Sequence, residues 1–165
     1  MMFNSEALSE DQLDEVEALI EAWLEGVDGA LEKIGVVESV QRSIEFDNRG
    51  ERERRWYVRV RGEEKDVWTI WMTLAQRTLR YETYLVPAPE ENHAVFYEHL
   101  LRRNRALTGL QLEIGPEDAI YLAGAMPAGS VNNDALDWML GALYQGVELI
   151  FRPAMRIGYE SKFKH

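Results

Sequence analysis

The chain has 165 residues, 46% of them hydrophobic and 28% charged, with 5 Trp, 7 Tyr and 5 Phe. That composition excludes disordered, collagenous and low-complexity classes and predicts one domain over residues 1–165, since domains cluster near ~100–150 residues. The net charge is −11 and cysteine is absent, which excludes disulfide frameworks, thiol nucleophiles and zinc–thiolate sites.

The acidity is concentrated at one end. Residues 1–33 hold ten Asp and Glu against the single Lys33, a net of −9, which leaves −2 for the rest. A negative first segment beside a nearly neutral remainder offers no basic footprint for phosphates, so nucleic acid is not an expected partner. No run reaches the ~18–20 apolar residues of a membrane span, so no membrane partner is expected either. Met1 to Asp11 lacks the basic start of a secretory signal, and the reading is cytoplasmic.

Ser9 followed three residues later by Gln12 is a capping-box pattern and predicts an acidic helix over about 10–27. Leu13, Val16, Ile20, Trp23, Leu24 and Val27 form its apolar stripe, with Asp11, Asp14, Glu15, Glu21, Glu25 and Asp28 assigned to the opposite face. Gly26 and Gly29 stop it, and Gly35 closes a short turn around Leu31 and Ile34. From Val37 the period becomes two. Val40, Ile44 and Phe46 alternate with polar residues up to a turn at Asp47 to Gly50, and Trp56, Val58 and Val60 then alternate with Tyr57, Arg59 and Arg61. Further strands follow at Val67 to Leu74 and Thr78 to Val86. Short connections make the four an antiparallel meander, because parallel pairing needs a crossover of a dozen or more residues.

Pro87 and Pro89 end the meander, and a second helix is expected from Glu91 to Leu107, with Glu90 and Glu91 at its dipole-favoured start. Its apolar side is read as Ala94, Tyr97, Leu100, Leu101 and Leu107. Leu110 to Ile114 and Ile120 to Ala125 form a second hairpin around Gly115 and Pro116. A last helix begins at Asp134, with Leu136, Met139, Leu140, Leu143, Val147 and Ile150 on one face, and Pro153 argues against its straight continuation. The fold class is α+β, an antiparallel sheet with helices packed on it in the order α-β-β-β-β-α-β-β-α.

The segments Pro87-Ala-Pro-Glu-Glu-Asn-His93, Tyr97-Glu-His-Leu-Leu-Arg-Arg-Asn104, Ile114 to Gly124, Leu136 to Tyr144 and Ile157-Gly158 resemble the actinobacterial branch of the YbjN family. The resemblance spans roughly Leu31 to Tyr159 and is most specific in Pro-Glu-Glu-Asn and Leu-Leu-Arg-Arg-Asn. It implies a bacterial sensory transduction regulator with a fold similar to type III secretion chaperones, which are small, often acidic, dimeric proteins that bind extended segments of partners. It carries no catalytic residue and no cofactor. Where a charged residue is expected beside Asp137, this chain has Trp138.

The remaining polar constellations have structural readings. His93 and His99 lie six residues apart on a helix and point to different sides, so they do not chelate one metal. Glu90 with Glu91 and Glu117 with Asp118 sit at turn or helix-start positions, where acids are expected for capping. Arg102, Arg103 and Arg105 read as a solvated helix end or an anion contact. No nucleophile elbow, phosphate loop or calcium loop is present.

The informative pattern is on the sheet. If Trp56, Val58, Val60, Trp68, Ile70, Met72 and Leu74 face the helices, then Tyr57, Arg59, Arg61, Thr69, Trp71, Thr73, Arg80, Glu82 and Tyr84 face away. Rigid aromatics mixed with arginine mark interfaces. The sequence therefore predicts a non-enzymatic regulatory or chaperone-like protein that binds a protein partner or itself, as a homodimer, through a face carrying Tyr57, Arg59, Arg61, Trp71, Arg80 and Tyr84. The alternative is a small-molecule sensor or enzyme with a pocket between sheet and helices. A competing outcome for the aromatic face is coverage by the acidic first helix or by the segment after Pro153.

Overall fold

In the computed structural model, residues 6–27, 36–46, 49–50 and 52–163 are described. Asp28 and Gly29 at the expected end of the first helix, the turn expected around Leu31 and Ile34, Asp47 and Asn48 of the turn at Asp47 to Gly50, and His165 lie outside them. The elements are α1 (Glu10–Val27), β1 (Val37–Phe46), β2 (Arg52–Arg61), β3 (Val67–Leu74), β4 (Thr78–Val86), α2 (His93–Asn104), β5 (Gln111–Ile114), β6 (Ile120–Pro127) and α3 (Asn133–Gly158). The order is the predicted one. The strands form one six-stranded antiparallel sheet, β1-β2-β3-β4-β6-β5, in which the second hairpin joins the meander through β6 on β4.

The period of two decides which side chains meet the helices. Trp56, Val58, Val60, Ile70 and Met72 have no exposed surface, and Trp68 and Leu74 almost none. Leu79, Tyr81, Leu85 and Leu122 extend this buried layer across β4 and β6. Over it lies α3, whose Leu136, Met139, Leu140, Leu143, Val147, Ile150 and Ala154 are buried. Burial of this kind contributes roughly 1.5–3 kcal/mol per large side chain.

Helix α1 begins with the reciprocal cap that its sequence spells: Ser9 N–H donates to Gln12 Oε1 (2.9 Å) and Gln12 N–H to Ser9 Oγ (3.2 Å). Its apolar stripe is buried at Leu13, Ile20, Trp23 and Leu24. The acidic face is not uniformly solvated, contrary to the sequence reading. Asp14 accepts from Arg54 Nη2 at 2.7 Å, Glu10 and Glu17 pair with Arg54 at 3.3 Å, and Glu21 accepts from Trp56 Nε1 at 3.0 Å. Arg42 of β1 pairs with Glu17 and, at 2.9 Å, with Glu21. The cause is the row Glu10, Asp14, Glu17 and Glu21, which lies along one side of the helix above two sheet arginines. Arg54 is left only 2% exposed, so its charge is held by carboxylates rather than by water.

Helix α2 starts at His93 and ends at Asn104, shorter at both ends than predicted. Asn92 sits in the left-handed region (φ 53°) and cannot continue a helix backwards. The Glu90 and Glu91 N–H groups donate instead to Gly158 O at 3.0 and 3.1 Å. The buried residues of α2 are Phe96 and Leu100, whereas Ala94 and Leu101, assigned to its apolar side, are exposed. Packing on α3 sets this rotation: a Cβ built at Gly158 would lie 3.1 Å from the Phe96 ring and 3.2 Å from Pro89 Cβ.

Helix α3 is continuous through Pro153, against expectation. Proline removes one backbone bond at a cost of about 3 kcal/mol, and the burial of Ile150, Ala154 and Gly158 on either side offsets it. The helix starts at Asn133, one residue before the predicted Asp134, and Asn132 caps it by accepting from Ala135 N–H at 2.8 Å.

Candidate partner-binding face

The three helices lie on one side of the sheet, and the alternate residues form its other side in cross-strand rows. Arg59 pairs with Thr69, and Tyr84 with Tyr121. One register step along, Tyr57, Trp71, Glu82 and Ala123 run across β2, β3, β4 and β6. The next row is Arg55, Thr73, Arg80 and Ala125. Neither α1 nor the end of α3 covers this face: Arg59, Arg61 and Arg80 are exposed, and Tyr57, Trp71 and Tyr84 are half-buried. A depression of about 380 Å³ is lined by Arg55, Tyr57, Trp71, Thr73 and Glu82, all strand residues.

Aromatic contacts stiffen the centre. The Trp71 and Tyr121 ring centroids are 6.1 Å apart, and Tyr84 meets Tyr121 edge-on at 5.6 Å. Tyr121, unassigned by the sequence reading, is 9% exposed and forms the floor of the cluster. Its alternation with Ile120 and Leu122 is the signal that would have placed it. Burial first, then Tyr159, Tyr121 and Glu117, push the Tyr84 phenol above its ordinary value.

Lys65 closes one end of the face and was also missed. From the β2–β3 turn its Nζ donates to Tyr84 O (2.7 Å) and Leu85 O (3.0 Å), where the β4–β6 register shifts. The ammonium also lies 5.1 Å from the Tyr84 ring centroid and 5.5 Å from that of Phe151. Burial pulls it down from 10.5 to about 8. Nothing local in the sequence marks this lysine, because its partners are backbone carbonyls of another strand.

The arginines are unevenly engaged. Arg59 and Arg61 share Glu38 at 3.7 and 3.5 Å, and Arg55 pairs with Glu53 at 2.9 Å. Such half-exposed pairs are worth ~0–1 kcal/mol each and exchange easily with a partner's carboxylate.

The other candidates fall elsewhere. His93 is exposed; His99 is half-buried, with burial first and Arg103 second lowering it. Arg102 pairs with Glu98 one turn away at 2.9 Å. Glu117 and Asp118 both take positive φ in the β5–β6 turn, and Glu91 accepts from Ser161 N–H at 2.7 Å. Among the described residues no group of three or more His, Asp or Glu side chains could hold a metal, and no helix is long and apolar enough to cross a membrane. Trp138 is 43% exposed, with its ring edge against Gly109, while Asp137 accepts from Trp23 Nε1 at 2.8 Å and ties α3 to α1.

A second apolar surface was not foreseen. Tyr97, Leu100, Leu101, Leu112, Ile114 and Ile120 line a groove of about 180 Å³ between α2 and β5, with Leu101 and Ile114 70% and 60% exposed. Beside it Asn104 acts as a substitute strand: Leu112 N–H donates to its Oδ1 (2.6 Å) and its Nδ2 donates to Leu112 O (3.4 Å). The sheet edge at β5 is thereby partly closed to another strand.

The segments that carried the family resemblance hold the fold together. Asn92 Nδ2 donates to Ile157 O and Glu160 Oε2, both at 2.9 Å, and the Tyr159 hydroxyl donates to Ala88 O. Asn104 secures β5.

Among solved structures the chain is similar in layout to chains of three complexes, two of them from type III secretion. One is a chain of the heterodimeric complex ExoU-SpcU of Pseudomonas aeruginosa (TM-score 0.46, 16% identity, 58% of this chain and 81% of that one). Another is in the complex of the Yersinia pestis chaperone SycH with a stable fragment of YscM2 (TM-score 0.43, 15% identity, 77% and 95%). A third is in the HopA1-SchA chaperone-effector complex (TM-score 0.47, 12% identity, 86% and 95%). In sequence the chain is 29% identical over 110 residues to an uncharacterized protein of Mycobacterium leprae, covering 67% of this chain and 60% of that protein. It is 30% identical over 107 residues to uncharacterized proteins of Mycobacterium bovis and Mycobacterium tuberculosis, covering 65% and 58%. The match thus spans about three-fifths of the curated relatives' length. The family described as "Putative bacterial sensory transduction regulator" matches residues 18–153, and the chain belongs to this family, YbjN.

Proposed function

We propose that the chain is a non-enzymatic regulatory or chaperone-like protein that holds a protein partner on the helix-free face of its sheet. One observation carries the reading: Tyr57, Trp71 and Tyr84 stand half-exposed among Arg59, Arg61 and Arg80 on a face that no helix covers. Aromatic area on a rigid sheet gives contact energy at small entropy cost, and forked arginine donors read carboxylates and backbone carbonyls. A cytoplasmic protein with this face would need a partner to remove the aromatics from water.

Comparative capture from native lysate tests the reading, with wild type and Trp71→Ala as baits and mass spectrometry as readout. Partners held by wild type and lost with the variant support it. Recovery of the same proteins at the same yield with both baits overturns it.

A further inference from the structure

The ladder between β3 and β4 stops early. β3 begins at Val67 and β4 ends at Val86, yet their paired residues run only from Leu74 with Leu79 to Ile70 with Thr83. Past that point side chains take the place of the missing rungs. The Thr83 hydroxyl donates to Thr69 O at 2.8 Å. Lys65 Nζ donates to Tyr84 O and Leu85 O, two successive carbonyls at the place where β4 shifts its register on β6. The β2–β3 turn is thus fastened to the end of β4 by one amine.

That amine is held by neutral groups. Besides the two carbonyls it faces the rings of Tyr84 and Phe151, at 5.1 and 5.5 Å. Its acidic neighbours serve other partners or stand exposed: Glu64 pairs with Arg152 at 2.6 Å, Glu148 accepts from the Glu63 and Glu64 N–H groups at 2.9 and 3.0 Å, and Glu63 and Asp66 are exposed. Among the described residues no carboxylate pairs with Lys65. Lys162 makes the matched comparison, because its Nζ lies 5.1 Å from the Tyr159 ring centroid and also 3.2 Å from Glu90 Oε1.

A carboxylate holds a lysine as the ammonium, which has no lone pair to react, whereas a neutral cage does not. The two carbonyls match the two hydrogens of a neutral amine and leave its third position for the lone pair. Burial brings Lys65 down to about 8, so at pH 7 about a tenth of it is neutral, against roughly one in three thousand for an unperturbed lysine.

We propose that Lys65 is an acyl-acceptor site, taking a short acyl group from an activated carboxyl donor of the acyl-phosphate class; its effect on partners rests on the proposed use of the helix-free face. The neutral Nζ attacks the acyl carbon and an N–C bond forms. The C–O bond to phosphate breaks, its electron pair leaves with the phosphate, and one amine hydrogen passes to water as a proton. The rings of Tyr84 and Phe151 offer apolar walls to the acyl methyl. The product is uncharged and has one N–H for two carbonyls. One carbonyl of β4 therefore loses its donor, and Tyr84, part of the partner-binding face, loses the cation beside its ring.

Incubation of the full chain with acetyl phosphate at pH 7, followed residue by residue with peptide mass spectrometry, tests the acceptor. Lys65 is expected to react about 10-fold faster than Lys162, its lower basicity returning part of the ~300-fold gain in neutral amine. In urea, where the cage is gone, the two rates are expected to converge. Equal rates in the folded chain, or a preference for Lys65 that persists in urea, overturn the acceptor site. Capture from native lysate tests the effect on partners. Lys65→Gln, which carries a neutral amide, is expected to lower partner yield about fivefold with circular dichroism unchanged, and Lys65→Arg, which keeps the charge, to stay near wild type. Equal losses in both variants, or a wild-type yield with Lys65→Gln while Trp71→Ala loses the partners, overturn the effect of acylation and leave the face standing. If neither Lys65→Gln nor Trp71→Ala loses them, the reading of the face fails too, and the acceptor site is decided by the acetylation rates alone.

Discussion

The two faces of the sheet are built from the same strands and differ only in which alternate residues they carry. On the helix side Trp56, Val58 and Ile70 lie under α1 and α3 with no exposed surface; one residue along each strand, Tyr57, Arg59 and Trp71 remain in contact with solvent. Large aromatics occur on both sides, so hydrophobicity alone does not tell core from interface. The distinction lies in the company each aromatic keeps. Trp56 sits in a row with Val58 and Val60, whereas Tyr57 and Trp71 sit among arginine, threonine and glutamate, which an apolar helix face could not cover without stranding buried polar groups.

The sharpest way to break this comparison is to truncate a neighbouring pair across the sheet. Ile70→Ala, on the helix side, should cost about 3–4 kcal/mol in urea unfolding, because it removes apolar burial and leaves a cavity. Trp71→Ala, the next residue, should lower fold stability by less than about 1 kcal/mol while weakening association by about 2 kcal/mol. Equal losses of fold stability would show that the helix-free face is core.

The helix side also has a polar part, and its worth can be measured at Arg54. Removing one member of a buried ion pair costs ~3–5 kcal/mol when the survivor is left unpaired and dry. Here Glu10 and Asp14 are 71% and 59% exposed, and Glu17 keeps Arg42. Arg54→Ala should therefore cost about 2 kcal/mol, and Arg54→Met less, because its stem keeps the packing. A midpoint unchanged in Arg54→Ala would mean that apolar contacts alone hold α1.

A smaller effect is expected where α2 docks on α3. Gly158→Ala brings a methyl to 3.1 Å from the Phe96 ring, so the seam must open by a few tenths of an ångström, at a cost of roughly 1–2 kcal/mol in thermal unfolding. Association through the opposite face should be unaffected.

The smallest effect concerns pH and the helix-free face. Lys65 is depressed to about 8 in the folded chain against 10.5 when unfolded. Between those values the unfolded state binds more protons, so stability should rise with pH from about 8 until the tyrosines, which are raised by burial, begin to ionise in the unfolded chain near 10. Below pH 8 the full cost of burying the ammonium is present. Lys65→Met should flatten the slope across this window, as read from urea midpoints, and an identical slope in both proteins would remove Lys65 from the explanation.

Much of this architecture is written locally in the sequence. The period of two from Val37 to Val86 sorts the faces, the Ser9/Gln12 cap starts α1, and short connections force antiparallel pairing, because each depends on neighbours a few residues apart. Other features depend on residues distant in the chain and become visible only when the elements meet. The carboxylates of α1 turn inward because Arg42 and Arg54 lie beneath them; α3 passes through Pro153 because both flanks are buried; α2 begins at His93 because Asn92 and the N–H groups before it are bound at the end of α3. Local chemistry sets which side of a strand is apolar, whereas what lies on that side depends on long-range packing, where a few kilocalories of burial override propensity.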